Sequence, residues 1–122
     1  MKVGFIGLGH MGAPMSRNVL AAGHDLLIHD VRPDAAAGLL AAGASWAGSP
    51  REAGADRDVV ITMLPGPLQV EEVLLGPGGL LAGLAAGATW IDMSTSVPAV
   101  ADKVRTVAGP ATRSWMRRSP AG

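Results

Sequence analysis

The sequence predicts an α/β protein built on a doubly wound parallel sheet, and three observations carry that expectation. Short apolar runs alternate with segments whose apolar residues recur every three or four positions, the pattern of strands joined by helices that cross back over a sheet. Between the first strand and the first helix, Gly7, Gly9 and Gly12 stand in the spacing G-x-G-x-x-G. An acidic residue, Asp30, closes the second strand 18 residues after Gly12.

Taken in order, Lys2 to Ile6 reads as a buried strand stopped by Gly7. Met11, Met15, Val19 and Ala22 mark one face of a helix, with Pro14 in its first turn and Gly23 just past its end. Leu26 to His29 is a second strand, and Pro33 to Ala42 a helix closed by Gly43. Ala44 to Ala47 reads as a short third strand ahead of a helical turn at Pro50 to Gly54. "VVITML" (Val59 to Leu64) is the strand richest in β-branched residues. Leu68 to Leu75 is helical until "GPGG" breaks it, and Leu80 to Ala85 forms one more short helix. Thr89 to Asp92 is a fifth strand, after which Ser96 caps a last helix ahead of Pro98. Right-handed crossovers then give the order 3-2-1-4-5, with "TWID" as an unpaired edge.

The 122 residues fit one domain. Hydrophobic residues make up 48% but aromatics only 3%, so the core is built from Ala, Val, Leu, Ile and Met. Ten basic and ten acidic residues cancel, which argues against nucleic acid or an anionic membrane as partner, since both select a surplus of Lys and Arg. The absence of cysteine removes disulfides, thiolate metal sites and Cys nucleophiles. No signal peptide and no run near 18 apolar residues is visible, so a soluble, cytoplasmic protein is expected. His10, His24 and His29 lack carboxylate partners at ligand spacing, so no metal site is assigned. Glu71 and Glu72 read as a solvated helix face.

The glycine loop has a physical reading. Gly7 lets the chain turn, Gly9 lets backbone approach a pyrophosphate, and Gly12 lets the helix pack on the strand. The helix N-terminus adds unpaired N–H groups and roughly half a positive charge. Asp30 lies where an acid meets the ribose hydroxyls, with Val31 and Arg32 beside it. These residues point to a Rossmann domain and a dinucleotide cofactor.

"GFIGLGHMGAPMSRNVLAAGH" resembles the signature of the β-hydroxyacid dehydrogenases, a family that includes 3-hydroxyisobutyrate dehydrogenase and relatives of 6-phosphogluconate dehydrogenase. Leu8, Met11, Pro14, Met15, Asn18 and Gly23 agree with that signature as well as the three glycines. "VVITMLPGP" and "WIDMSTSVP" resemble the family's next two cofactor-facing strand ends. The resemblance runs from Met1 to about Val107 and implies an NAD(P)-dependent oxidoreductase acting on a small 3-hydroxy acid. It implies that Met63, Leu64 and Pro65 line the cofactor path, that Thr95 sits by the nicotinamide, that His10 lies by the pyrophosphate, and that Gln69 is a further contact. Met63 equally suits core filling.

NAD is favoured over NADP. A 2′-phosphate would meet Asp30, and two like charges ~4 Å apart repel by about 4 kcal/mol at an effective dielectric of about 20, roughly a thousandfold in affinity. Arg32 works the other way, because a guanidinium can hold a phosphate bidentately.

Hydride transfer at an alcohol needs a group to take or give the hydroxyl proton. The resemblance puts that group on a lysine beyond this chain, and a substrate motif, DAPVSGG, after the sixth strand. Lys103 sits outside any matching motif, so no catalytic residue is assigned, and the helical second domain is expected to be missing. Residues 1–108 are expected to form the dinucleotide domain. The tail, Gly109 to Gly122, carries Arg113, Arg117 and Arg118 and little apolar periodicity. With GC-rich codons, a frame shifted at Ser114 reads L-D-A-P-V-S-G-G, so a frameshifted tail is one expectation and a divergent native tail the other. Sequencing the source gene separates them. An open edge at the fifth strand and the missing domain together imply marginal stability, self-association and weak or no turnover. A nucleotide-sensing module and a gene product without selected activity are the alternatives to a dehydrogenase domain.

Overall fold

Six parallel strands form one sheet in the order β3-β2-β1-β4-β5-β6 in the computed structural model, which describes residues 1–9, 12–64, 67–84 and 87–93 and the backbone of 113–116. The strands are β1 (Lys2–Ile6), β2 (Asp25–His29), β3 (Ser45–Trp46), β4 (Val59–Thr62), β5 (Thr89–Asp92) and β6 (Arg113–Met116). The helices are α1 (Gly12–Ala21), α2 (Ala37–Ala41), α3 (Pro50–Gly54), α4 (Pro67–Leu75) and α5 (Leu80–Gly83). The doubly wound α/β architecture expected from the alternation is therefore the observed one.

β1 lies at the centre, pairing with β2 on one side (Phe5 opposite Ile28) and β4 on the other (Phe5 opposite Ile61). Its residues after Lys2 are all buried, as a parallel strand covered on both faces requires. Val3, Phe5, Leu26 and Ile28 pack on one face with Leu39 of α2 and, half-buried, Met15 and Val19 of α1. Ile6, Val60 and Trp90 pack on the other with Ala53 of α3, Val70 and Leu74 of α4 and Leu80 of α5. Each fully buried Val, Leu, Ile or Phe among them contributes about 1.5–3 kcal/mol on leaving water. α3 starts where it does because the Ser49 hydroxyl accepts the Glu52 amide at 3.2 Å while the Glu52 carboxylate accepts the Gly48 amide at 2.7 Å, a reciprocal cap ahead of Pro50.

Three expectations are corrected. The fifth strand is not an edge: β6 pairs with it in parallel, Thr89 opposite Arg113 and Asp92 opposite Met116. Four residues of the tail thus extend the sheet beyond residue 108, and the open edge invoked for self-association is closed. The run R-S-W-M lacks both strict alternation and β-branched residues, which hides the strand, whose ladder is made by backbone groups. The helix expected over Pro33 to Ala42 is a 3₁₀ turn, Pro33–Ala36, followed by α2; Arg32, before Pro33, offers no side-chain cap to start a regular helix. The third and fourth strands are shorter than expected, ending at Trp46 and Thr62. The helix expected after Ser96 lies outside the described residues.

At the amino edge of the sheet, Lys2 donates its backbone N–H to Asp58 at 2.9 Å and its ammonium to Asp56 at 2.7 Å. The hydrogen bond between them, and then their opposite charges, holds the Lys2 ammonium above its usual range and the Asp56 carboxyl below its own. A raised ammonium loses its contribution as pH climbs through its folded value, and a depressed carboxyl loses its own as pH falls through its folded value. The pair is intact at neutral pH and, being solvent-exposed, adds little.

Ser16 in α1 is fully buried, and its hydroxyl has no hydrogen-bond partner among the described residues. Removing a buried unsatisfied hydroxyl recovers its desolvation cost. Ser16→Ala is expected to raise unfolding stability by ~1 kcal/mol, read as a higher urea midpoint at unchanged slope.

Candidate functional site

The chain leaves β1 toward α1 and β2 on one side, while β4 and β5 continue the sheet on the other. The connections therefore diverge at the carboxyl ends of β1 and β4, the switch point where open α/β sheets bind ligands. Gly7, Gly9 and Gly12 sit at this point, and the three glycines have three separate reasons.

Gly7 has φ +101°, in the left-handed region, and a Cβ there would strike the Met63 carbonyl and come within 3.2 Å of Leu64 Cδ2. Its amide donates to the His29 carbonyl at 3.0 Å. Gly12 is buried at the start of α1, where a Cβ would strike the Gly7 carbonyl and lie 3.4 Å from the Phe5 ring. Both are glycine because the protein itself fills the space. Gly9 differs: a Cβ added there meets nothing within 4 Å among the described residues, which leave room over its backbone. Ala13 donates to the Gly9 carbonyl at 3.1 Å, which places Gly9 at the entry to α1, beside the helix's unpaired N–H groups.

Asp30, just past β2, ties this loop to its neighbour. Its Oδ2 accepts the Leu8 amide at 2.7 Å and its Oδ1 the Arg32 amide at 2.8 Å. Leu8 is buried, which fixes the loop from below. A carboxylate offers about four lone-pair positions; the two amides leave capacity for further donors such as paired sugar hydroxyls. The residues present therefore fit a dinucleotide: open space over Gly9, helix N–H groups beside it, and an anchored acceptor at Asp30.

Of the other expected site residues, Met63 and Leu64 follow β4 directly and lie against Gly7, as its blocked Cβ position records. They also pack on opposite core clusters. Val31 stands 88% exposed and Arg32 is exposed beside it. Gln69 is exposed in the first turns of α4. His10, Met11, Pro65 and Thr95 lie outside the described residues. Leu68, 75% exposed at the start of α4, had not been singled out; an apolar residue directly after "PGP" was the available signal.

A buried polar group was missed as well. Thr62 ends β4, Asp92 ends β5, and the two are paired in register. The Thr62 hydroxyl donates to Asp92 Oδ1 at 2.9 Å and accepts the Trp90 indole N–H at 3.0 Å. Both strands, "VVIT" and "TWID", close on a polar residue after an apolar run, which is the pattern that betrays it.

Residues 2–117 match the family model described as the NAD binding domain of 6-phosphogluconate dehydrogenase. The chain belongs to that family. The match continues ten residues past Val107, taking in β6. Among curated relatives of this NAD-binding domain, the NAD-dependent L-serine dehydrogenase of Pseudomonas aeruginosa is 48% identical over 107 residues, covering 88% of this chain and 36% of that protein. Among solved structures, 3-hydroxyisobutyrate dehydrogenase of Mycobacterium tuberculosis with L-serine superposes with a TM-score of 0.85 at 37% identity, over 97% of this chain and 40% of that one. Psf3 in complex with NADP+ and 2-OPP superposes with a TM-score of 0.83 at 31% identity, over 92% of this chain and 40% of that one. The NAD-binding domain described here thus spans little more than a third of the length of the curated relative it matches.

Proposed function

We propose that the domain binds NAD(H) in preference to NADP(H), as the nucleotide half of a dehydrogenase acting on a small 3-hydroxy acid. The observation that carries the reading is the Asp30 carboxylate, held toward the glycine loop by the Leu8 and Arg32 amides at 2.7 and 2.8 Å. Two backbone donors hold this carboxylate in place, facing the position proposed for the ribose. It accepts from two sugar hydroxyls and repels a 2′-phosphate; the exposed Arg32 side chain moderates that repulsion.

In this reading the Leu8 to Gly12 backbone binds the pyrophosphate at the positive end of α1. Val31, exposed just past the end of β2, gives apolar cover to the adenine. Gln69, with His10, Met11, Pro65 and Thr95, completes the proposed contacts, and Met63 and Leu64 wall the crevice. The nicotinamide, when bound, supplies the hydride acceptor; no residue of this chain is assigned the proton transfer. The substrate class rests on the relatives, since L-serine and 3-hydroxyisobutyrate share a hydroxyl on the carbon β to a carboxylate. A reading-frame change after Ser114 remains the proposed origin of the tail, tested by the gene sequence.

Titration with NADH and NADPH, followed by assay with 3-hydroxyisobutyrate and L-serine, tests the reading. NADH is expected to bind at least about tenfold more tightly than NADPH, about 1.4 kcal/mol, with turnover by the chain alone weak or undetectable. Equal affinities would remove the assigned role of Asp30, and no binding of either would remove the dinucleotide site.

A further inference from the structure

The bonds that join Trp90, Thr62 and Asp92 sit directly beneath the chain exits at the carboxyl edge of the sheet. Thr62 and Asp92 are both fully buried, and Trp90 nearly so. An indole N–H is a donor only, so it takes a lone pair of the Thr62 hydroxyl and leaves that group's single proton for Asp92. The direction of both bonds is thereby fixed, and so is the Thr62 rotamer. Backbone bonds continue one residue past each strand: Met63 donates to the Ile6 carbonyl at 2.9 Å and Met93 to the Thr62 carbonyl at 2.8 Å. The β4 and β5 exits are therefore joined twice, by backbone and by side chain, at the same level of the sheet.

A carboxylate and a hydroxyl are an uneconomical way to fill an apolar face, because burying them gains nothing over well-packed hydrophobic side chains. What the pair adds is a defined separation between two loops. Asp30 and the glycine loop attach to β1 and β2, whereas this pair attaches to β4 and β5. A dinucleotide fold divides its ligand in the same way, one mononucleotide to each half of the sheet.

The geometry points to Thr62 and Asp92 as positioning residues for the nicotinamide half of the cofactor, acting through the exits of β4 and β5 rather than by touching the ligand. The inference rests on the dinucleotide reading of the site. It sets this pair apart from Asp30, whose influence falls on the adenosine half.

Affinities for NADH and for ADP, measured by calorimetry on the full chain and on three variants, test it. Thr62→Val, which keeps shape and removes the hydroxyl, is expected to raise the NADH Kd about tenfold while leaving the ADP Kd within about twofold. Thr62→Ser restores the hydroxyl and is expected to bring NADH binding back to within about threefold. If Thr62→Val does not fold by circular dichroism, Asp92→Asn is read in its place, with NADH weakened at least about threefold and ADP unchanged. Parent-like NADH affinity in the folded variant, equal losses for NADH and ADP, or failure of both Thr62→Val and Asp92→Asn to fold would overturn the inference and leave the pair a purely structural bond. A parent chain that binds neither ligand would instead refute the dinucleotide site itself.

Discussion

Gly12→Ala is expected to lower the unfolding free energy by ~3 kcal/mol, the upper range for overpacking, and the melting midpoint by roughly 10 °C. The added methyl would strike the Gly7 carbonyl and press on the Phe5 ring at 3.4 Å. The first obstacle is backbone that cannot rotate away, so α1 must lift off the sheet. Lifting it exposes the face where Phe5 and Ile28 are fully buried and where Met15 and Val19 pack. Domains of this size have only about 5–15 kcal/mol in reserve, so the unfolded population is expected to rise by roughly two orders of magnitude while the folded state stays the major one. A urea titration followed by circular dichroism checks this; a midpoint unchanged from the parent would mean that α1 does not approach β1 as closely as described. Gly7→Ala carries a similar cost for a different reason, since φ +101° is strained for any L side chain and the Met63 carbonyl blocks the Cβ.

The sheet was legible because its strands are short apolar runs bounded by turn residues and because each helix is framed by its own signals. Lys2–Ile6 and Thr89–Asp92 have the expected bounds, and α1 ends beside Gly23 with its φ of +91°. The acid at position 30 was legible from spacing, since a strand, a tight loop and a helix return the chain to the sheet after a nearly fixed length. Its two backbone partners were not, because they depend on how the loop after β1 meets the one after β2. Spacing likewise located Gly7, Gly9 and Gly12 without separating their reasons. At two of them a side chain is excluded by neighbouring protein atoms, whereas a Cβ at Gly9 meets nothing within 4 Å among the described residues. The strand Arg113–Met116 was hidden because β-pairing is a backbone property and its side chains carry no strand pattern. Thr62 and Asp92 were hidden because a polar residue closing a strand looks in sequence like a residue leaving the core, whereas both are wholly inside it.

Gly9→Val is expected to do the reverse of Gly12→Ala: to spare the fold and weaken binding. Nothing among the described residues lies within 4 Å of the added Cβ, and the φ of Gly9 lies outside the left-handed region, so neither a Cβ clash with them nor a left-handed backbone opposes folding. The volume it fills is where a pyrophosphate would approach the N–H groups at the start of α1. Hydrogen bonds to a charged group contribute about 1.5–3 kcal/mol each, so losing one or two lowers affinity by about a hundredfold. Gly9→Ala, with a single methyl, should fall between parent and valine.

The most direct test of the glycine-loop site is an NADH titration of Gly9→Val beside the parent, with circular dichroism and thermal melting recorded on the same samples. The structure predicts a parent-like melt together with an NADH Kd raised by about two orders of magnitude. A folded Gly9→Val protein that binds NADH as tightly as the parent would contradict it.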